Sequence, residues 1–172
     1  MSVFKKFIVI IIILCSNILF AQVNHLGSPF VKNFSRSEYK AGLQTWAIQQ
    51  GSNGMMYFGN NDGLLEFDGV FWNTYPLPNN SALRAIRIGS ENRIYAGGYN
   101  EFGYYELDEM GGAKYNSLSH LLEADDMDFD DVWKIYIHHD GIIFQSYHQM
   151  MIYKDNKITI IKAPSFFHFS FI

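Results

Sequence analysis

Residues 59–75 read GNNDGLLEFDGVFWNTY, and this run decides the fold. An Asn-Asn-Asp-Gly turn, a short apolar run, an Asp-Gly turn and a second, aromatic run follow one another within it, the pattern of two consecutive antiparallel strands. The segments on either side are variations on the same theme.

Working outward, the first complete unit has expected strands at 45–49, 55–59, 64–68 and 70–75, a four-stranded meander in about thirty residues. A second unit lies 38 residues further on, with Ala85 matching Ala47, Ile86 matching Ile48, Tyr95 matching Tyr57 and Gly97 matching Gly59. Its strands fall at 83–88, 93–97, 103–107 and 113–117; Glu106 matches Glu66 at a spacing of 40, so two residues are inserted around Tyr99 and Asn100. In the third unit Trp133 and Ile135 match Trp46 and Ile48 at a spacing of 87, and the strands fall at 132–138, 141–146, 150–154 and 157–162.

Four-stranded repeats of about 40 residues are the signature of β-propeller blades, of which a closed ring takes roughly four to eight. The sequence therefore predicts an all-β chain forming a partial propeller. Its three blades are expected at about 44–75, 82–117 and 131–162, with a spare strand at each end, at 31–39 and 166–172. Val31-Lys32-Asn33-Phe34 lies over Trp72-Asn73-Thr74-Tyr75, as the outer strand of a ring-closing blade would. The expectation is a fragment of a longer propeller, because both end blades of an isolated trio would leave strand edges and apolar faces open.

The first 21 residues are different material. Lys5 and Lys6 precede an apolar run, and Ala21 offers a small residue before Gln22, as a secretory signal peptide does. An uncleaved anchor needs about 20 apolar residues, more than this run has, and a lipoprotein site at Cys15 is disfavoured by the large Leu14 before it. Cleavage would leave an exported, periplasmic domain from 22 to 172 without cysteine, dependent on packing alone. Of the 172 residues, 48% are hydrophobic and 17% aromatic, which is ample for a core. The formal charge of −4 would become −6 on losing two lysines and no acid, which argues against a nucleic-acid partner.

NGMMYFGNNDGLLEFDGVFWNTY, RIYAGGYNEFGYYELD and DVWKIY, after a leader and a KNFSRSEYKAGLQTWAI entry, resemble the two-component regulator propeller repeats. The resemblance is most specific in GLLEFDG…W. It implies the periplasmic sensor domain of a bacterial hybrid two-component or helix-turn-helix signalling protein. Kinase or DNA-binding output, a membrane helix and homodimerisation would belong to the full-length protein.

Within a meander, the turn between the second and third strands shares a face with the connection to the next blade. That face gathers Asn60, Asn61, Asp62, Tyr99, Asn100, Tyr147 and His148, and planar polar groups beside aromatic rings suit an oligosaccharide or other polar small ligand. The same residue types are also ordinary turn formers. No catalytic residue, cofactor or metal site is expected. Asp126, Asp128 and Asp130 begin like an EF-hand but lack its Gly and Glu, and read as an acidic loop after a short helix at 118–124. Adjacent His138 and His139 would point to opposite faces of a strand, and with Asp140-Gly141 they read as a turn. Trp46, Trp72 and Trp133 read as packing between blades. A glycoside-cleaving propeller would need two carboxylates about 5–10 Å apart, whereas the innermost strands carry Arg84, Arg87 and Lys134 with Asp131 at an entrance. An enzyme fragment and a truncated remnant are the alternatives to the sensor.

Overall fold

The computed structural model describes residues 27, 30–90, 93–108 and 112–167. The chain divides into two units, Met1–Asn33 and Phe34–Ile172. The expected signal peptide at 1–21 lies outside the described residues, as does most of the expected strand at 166–172.

Among the described residues of the second unit, twelve strands form three separate four-stranded antiparallel sheets, each a simple meander. The first comprises β1 (Thr45–Gln50), β2 (Met56–Asn60), β3 (Gly63–Phe67) and β4 (Trp72–Tyr75). The second comprises β5 (Leu83–Ile88), β6 (Arg93–Gly98), β7 (Glu101–Leu107) and β8 (Ala113–Ser117). The third comprises β9 (Lys134–His138), β10 (Gly141–Gln145), β11 (Gln149–Lys154) and β12 (Lys157–Lys162). The first strand of each sheet lies innermost, β5 packing between β1 and β9. These are three propeller blades.

Apolar residues from facing blades make two cores. Tyr57, Leu64, Leu83, Ile86, Ile94 and Tyr105 fill the gap between the first and second blades. Tyr95, Phe102, Phe129, Val132, Phe144 and Met151 fill the next. The repeated glycines let the blades approach. A Cβ on Gly97 would stand 2.5 Å from Val132 Cγ1, and one on Gly59 would stand 2.9 Å from the Leu83 carbonyl oxygen.

Two expectations need correction. No strand forms at 31–39: residues 30–35 have no regular structure, and Arg36–Tyr39 make one helical turn, α1. Glu38 Oε2 accepts from the Ser35 backbone N–H at 2.6 Å and from its hydroxyl at 2.7 Å, a local cap that competes with extended backbone. Lys40, in left-handed backbone at φ 50°, ends the turn. The expected helix at 118–124 resolves into two short 3-10 turns, Ser119–Leu121 and Ala124–Asp126. Of the expected strand at 166–172 only Phe166 and Phe167 are described; neither is in a strand, and the Phe167 N–H reaches the Tyr147 carbonyl at 2.8 Å.

Candidate functional site

Trp46, Arg84 and Trp133 occupy one repeat position on three consecutive blades, at the same spacings of 38 and 87 that align the rest of the inner strands. Pairing slips there in the first two. Between β1 and β2 it passes from Thr45↔Asn60 to Ala47↔Gly59, and between β5 and β6 from Leu83↔Gly98 to Ala85↔Gly97. Trp46 and Arg84 are thus the extra residues of β-bulges, irregularities that re-aim a side chain. Trp133 stands just before β9 and gives its N–H to the Gln145 carbonyl at 2.8 Å, although Gln145 is already paired with Lys134.

The three side chains meet in a groove of about 370 Å³ along the innermost strands, where Arg87, Lys134 and Tyr136 also line the wall. The Arg84 guanidinium lies over the Trp46 ring at 3.8 Å and faces Trp133 at 5.4 Å. The two indoles meet edge to face, 6.1 Å apart. Arg84 Nε donates to Asp131 Oδ1 at 3.2 Å. Asp131 is itself anchored, its N–H on Asp130 Oδ1 at 2.8 Å and its backbone bridged to Tyr99. Arg84 Nη1 and Trp133 Nε1 are buried and have no hydrogen-bond partner.

The seven residues expected to contact ligand stand at the connections between the second and third strands of their blades, and their surroundings divide them. Asn61 is exposed and accepts from Trp46 Nε1 at 2.8 Å, and the half-exposed Tyr147 ring stands 5.6 Å from Trp133. These two border the groove. Asn60 is fully buried, its amide donating to the Gly42 carbonyl at 2.8 Å and accepting from the Asp62 N–H at 3.1 Å. Asn100, in left-handed backbone at φ 48°, accepts from the Phe129 and Asp130 N–H groups at 3.0 and 2.7 Å. Both amides are committed to holding loops. Asp62 is exposed in its turn, Tyr99 is half exposed beside Asn79, and His148 packs on Phe166 at 5.2 Å.

Two further expectations change. Trp72 is packing, stacked on Phe67 at 4.3 Å and edged by Phe34 and Phe58. Trp46 and Trp133, by contrast, are only partly buried and line the groove. The signal for this was present as the aligned Trp, Arg and Trp, but the bulges that aim them are not visible in composition or alternation. His138 and His139 do not diverge: β9 ends at His138, His139 enters the turn, and their rings meet edge to face at 3.9 Å. Asp140 Oδ2 lies 3.3 Å from His138 Nδ1 and 3.4 Å from His139 Nε2, a set of one half-buried and two exposed side chains whose ligand atoms are close enough together to share a divalent metal. The acidic loop is tied down, Asp126 by Lys162 at 2.6 Å and Asp128 by Asn100 at 3.2 Å.

No protein-family model and no curated protein matches the sequence. Solved structures match the fold. The extracellular domain assigned to a hybrid two component system, BT4673 from B. thetaiotaomicron, aligns with a TM-score of 0.53 at 21% identity, over 71% of this chain and 16% of that one. The WD40 beta propeller domain of Doa1 aligns with a TM-score of 0.52 at 12% identity, over 73% of this chain and 43% of that one. The chain thus spans less than half the length of either, and the likeness is one of propeller architecture.

Proposed function

We propose that this chain is the first part of an exported, ligand-sensing β-propeller of a bacterial signalling protein, and that it recognises a glycan or other polar small ligand at the Trp46–Arg84–Trp133 groove. In this reading residues 1–21 are a cleaved leader, the blades from 22 onward face the periplasm, and the output lies in other parts of a longer protein. The observation that carries it is the convergence of three side chains from one repeat position onto a single open groove. Partly exposed indoles offer apolar ring surface for stacking on sugar faces, beside polar side chains that hydrogen-bond hydroxyls. The structural resemblance to an extracellular domain of a two component system supports the setting.

A glycoside-cleaving reading is less well supported. It needs a pair of carboxylates flanking the bond, whereas among the described residues the groove lining holds no acid, and Asp131 behind it is engaged by Arg84.

Tryptophan fluorescence during titration with a broad oligosaccharide panel tests the proposal. A saturable change is expected with at least one member, weakened about tenfold by Trp46→Ala or Trp133→Ala, in keeping with the loss of one stacked ring. Silence across the panel would overturn it.

A further inference from the structure

We propose that His138, His139 and Asp140 form a binding site for a divalent transition metal, zinc foremost, at the hairpin between β9 and β10. The site is separate from the groove and does not rest on the ligand-sensing reading. Three potential ligands in a row would be scattered to alternate faces by a continuous strand. The hairpin gathers them instead. β9 ends at His138, which pairs with Gly141 across the hairpin, so His139 and Asp140 make the turn itself. Gly141 has a φ of 133°, and a Cβ there would strike the Tyr153 carbonyl oxygen, so the turn depends on glycine. The Lys154 ammonium donates to the His139 carbonyl at 3.4 Å and ties the turn to β11.

The geometry points to a metal. Asp140 Oδ2 stands 3.3 Å from His138 Nδ1 and 3.4 Å from His139 Nε2. Zinc bonds of about 2.0–2.2 Å directed to the corners of a tetrahedron set neighbouring ligand atoms about 3.3–3.5 Å apart. Both histidine–carboxylate separations are therefore those of a bound ion. One ligand atom from each residue lies within 4.8 Å of the other two, and the rings bring nitrogens to 2.9 Å of each other. All three are reached from solvent, the His138, His139 and Asp140 side chains being 33%, 77% and 63% exposed. The Asp140 N–H meets His138 Nδ1 at 3.4 Å, too long a contact to compete with a metal bond. Among the described residues no lysine or arginine pairs with this carboxylate, whereas Asp126 is held by Lys162 and Asp131 by Arg84. Two imidazoles and one carboxylate suit zinc, copper and nickel, while calcium and magnesium take oxygen shells. Three protein ligands leave a coordination position for water.

Calorimetric titration of the full chain with zinc chloride in a non-chelating buffer tests the proposal, with calcium and magnesium chloride as controls. One zinc ion per chain is expected to bind saturably, and calcium and magnesium should not displace it. His138→Ala, His139→Ala and Asp140→Asn should each weaken binding about tenfold or more, since even the groups that merely orient a ligand are worth that much. His120→Ala, on an exposed 3-10 turn, should change nothing. Asp140→Asn keeps the size of the turn residue, so it reads the carboxylate even where a histidine variant disturbs the hairpin; the thermal midpoint shows that each variant is folded. Repeating the titration in urea separates a built site from three ligands that are merely adjacent in sequence, and affinity should fall about tenfold or more on unfolding. Equal affinity in the folded and unfolded chain would overturn the proposal. Zinc binding that none of the three variants weakens, or no saturable binding at all, would overturn it too. Displacement of zinc by calcium at equal concentration would overturn the assignment to a transition metal.

Discussion

Asp68 shows how one side chain in a turn carries a measurable property. Its Oδ1 accepts the Val70 and Phe71 N–H groups at 2.7 and 2.6 Å, closing the tight connection from β3 to β4. The Phe71 and then the Val70 N–H hold its carboxyl below the ordinary aspartate range. A depressed folded value means that this stabilisation is present above the unfolded value of about 4 and is lost as pH falls through the folded one. Asp68→Ala should therefore be less stable than the parent at neutral pH, and the difference in urea midpoint should close under strong acid; a constant difference would refute the assignment. Gly97 is a steric counterpart. A side chain there would enter the space held by Val132, so Gly97→Val should cost about 1–3 kcal/mol as overpacking between blades, read from denaturant midpoints. Asn60 and Asn61 mark the limit of reading residue types from sequence. Adjacent and chemically identical, one is buried in loop hydrogen bonds and the other faces the groove. Only the direction of each side chain separates them.

At the scale of elements, the meanders were legible because their evidence is redundant. Alternation, Gly/Asn/Asp turns and a repeat spacing of 38 all point to the same strands, and β5, β8 and β12 fall where the alternation puts them. The misreading at 31–39 has a local cause. Ser35 and Glu38 form a cap three residues apart, and that short-range geometry outweighs an aromatic pattern that resembles a strand. The groove was legible only in part. The tryptophans could be found and aligned, but a one-residue bulge turns a packing position into a lining position, and nothing in the residue types at 45–47 distinguishes the two. The blade interfaces yield a firm expectation. Phe144 is fully buried and meets Phe102 at 4.7 Å and Tyr95 at 6.1 Å across the gap between the second and third blades. Phe144→Ala should cost about 3–5 kcal/mol, whereas Phe144→Leu should cost markedly less because most of the volume is kept. Equal losses would mean that ring geometry, rather than filled volume, holds the blades together.

For the molecule as a whole, the tyrosines decide how the fold meets alkali. Tyr57, Tyr75, Tyr95, Tyr105 and Tyr115 all have phenol groups pushed upward, in each case mainly by burial. The effect is strongest at Tyr105 and Tyr115. Tyr105 donates to the Tyr75 carbonyl at 2.9 Å across the first blade interface, and Tyr115 donates to Glu101 at 3.0 Å, so a phenolate there would also face a carboxylate. A raised folded value contributes stability that is complete below the unfolded phenol value near 10 and is lost as pH climbs beyond it. Tyr57, Tyr75, Tyr105 and Tyr115 sit in and beside the core that joins the first two blades and Tyr95 in the core that joins the next pair, so their ionisation is coupled to opening of these interfaces. The phenolate absorbance contributed by these five groups should therefore rise together with the loss of β-sheet dichroism above about pH 10. Tyr115→Phe removes one of these groups and leaves Glu101 two hydroxyl donors, Ser117 at 2.8 Å and Ser119 at 3.1 Å. The variant should hold its fold to higher pH than the parent. If instead these five tyrosines titrate near the ordinary value with the dichroism intact, the interfaces open without unfolding, and the blades are coupled more loosely than their shared cores imply.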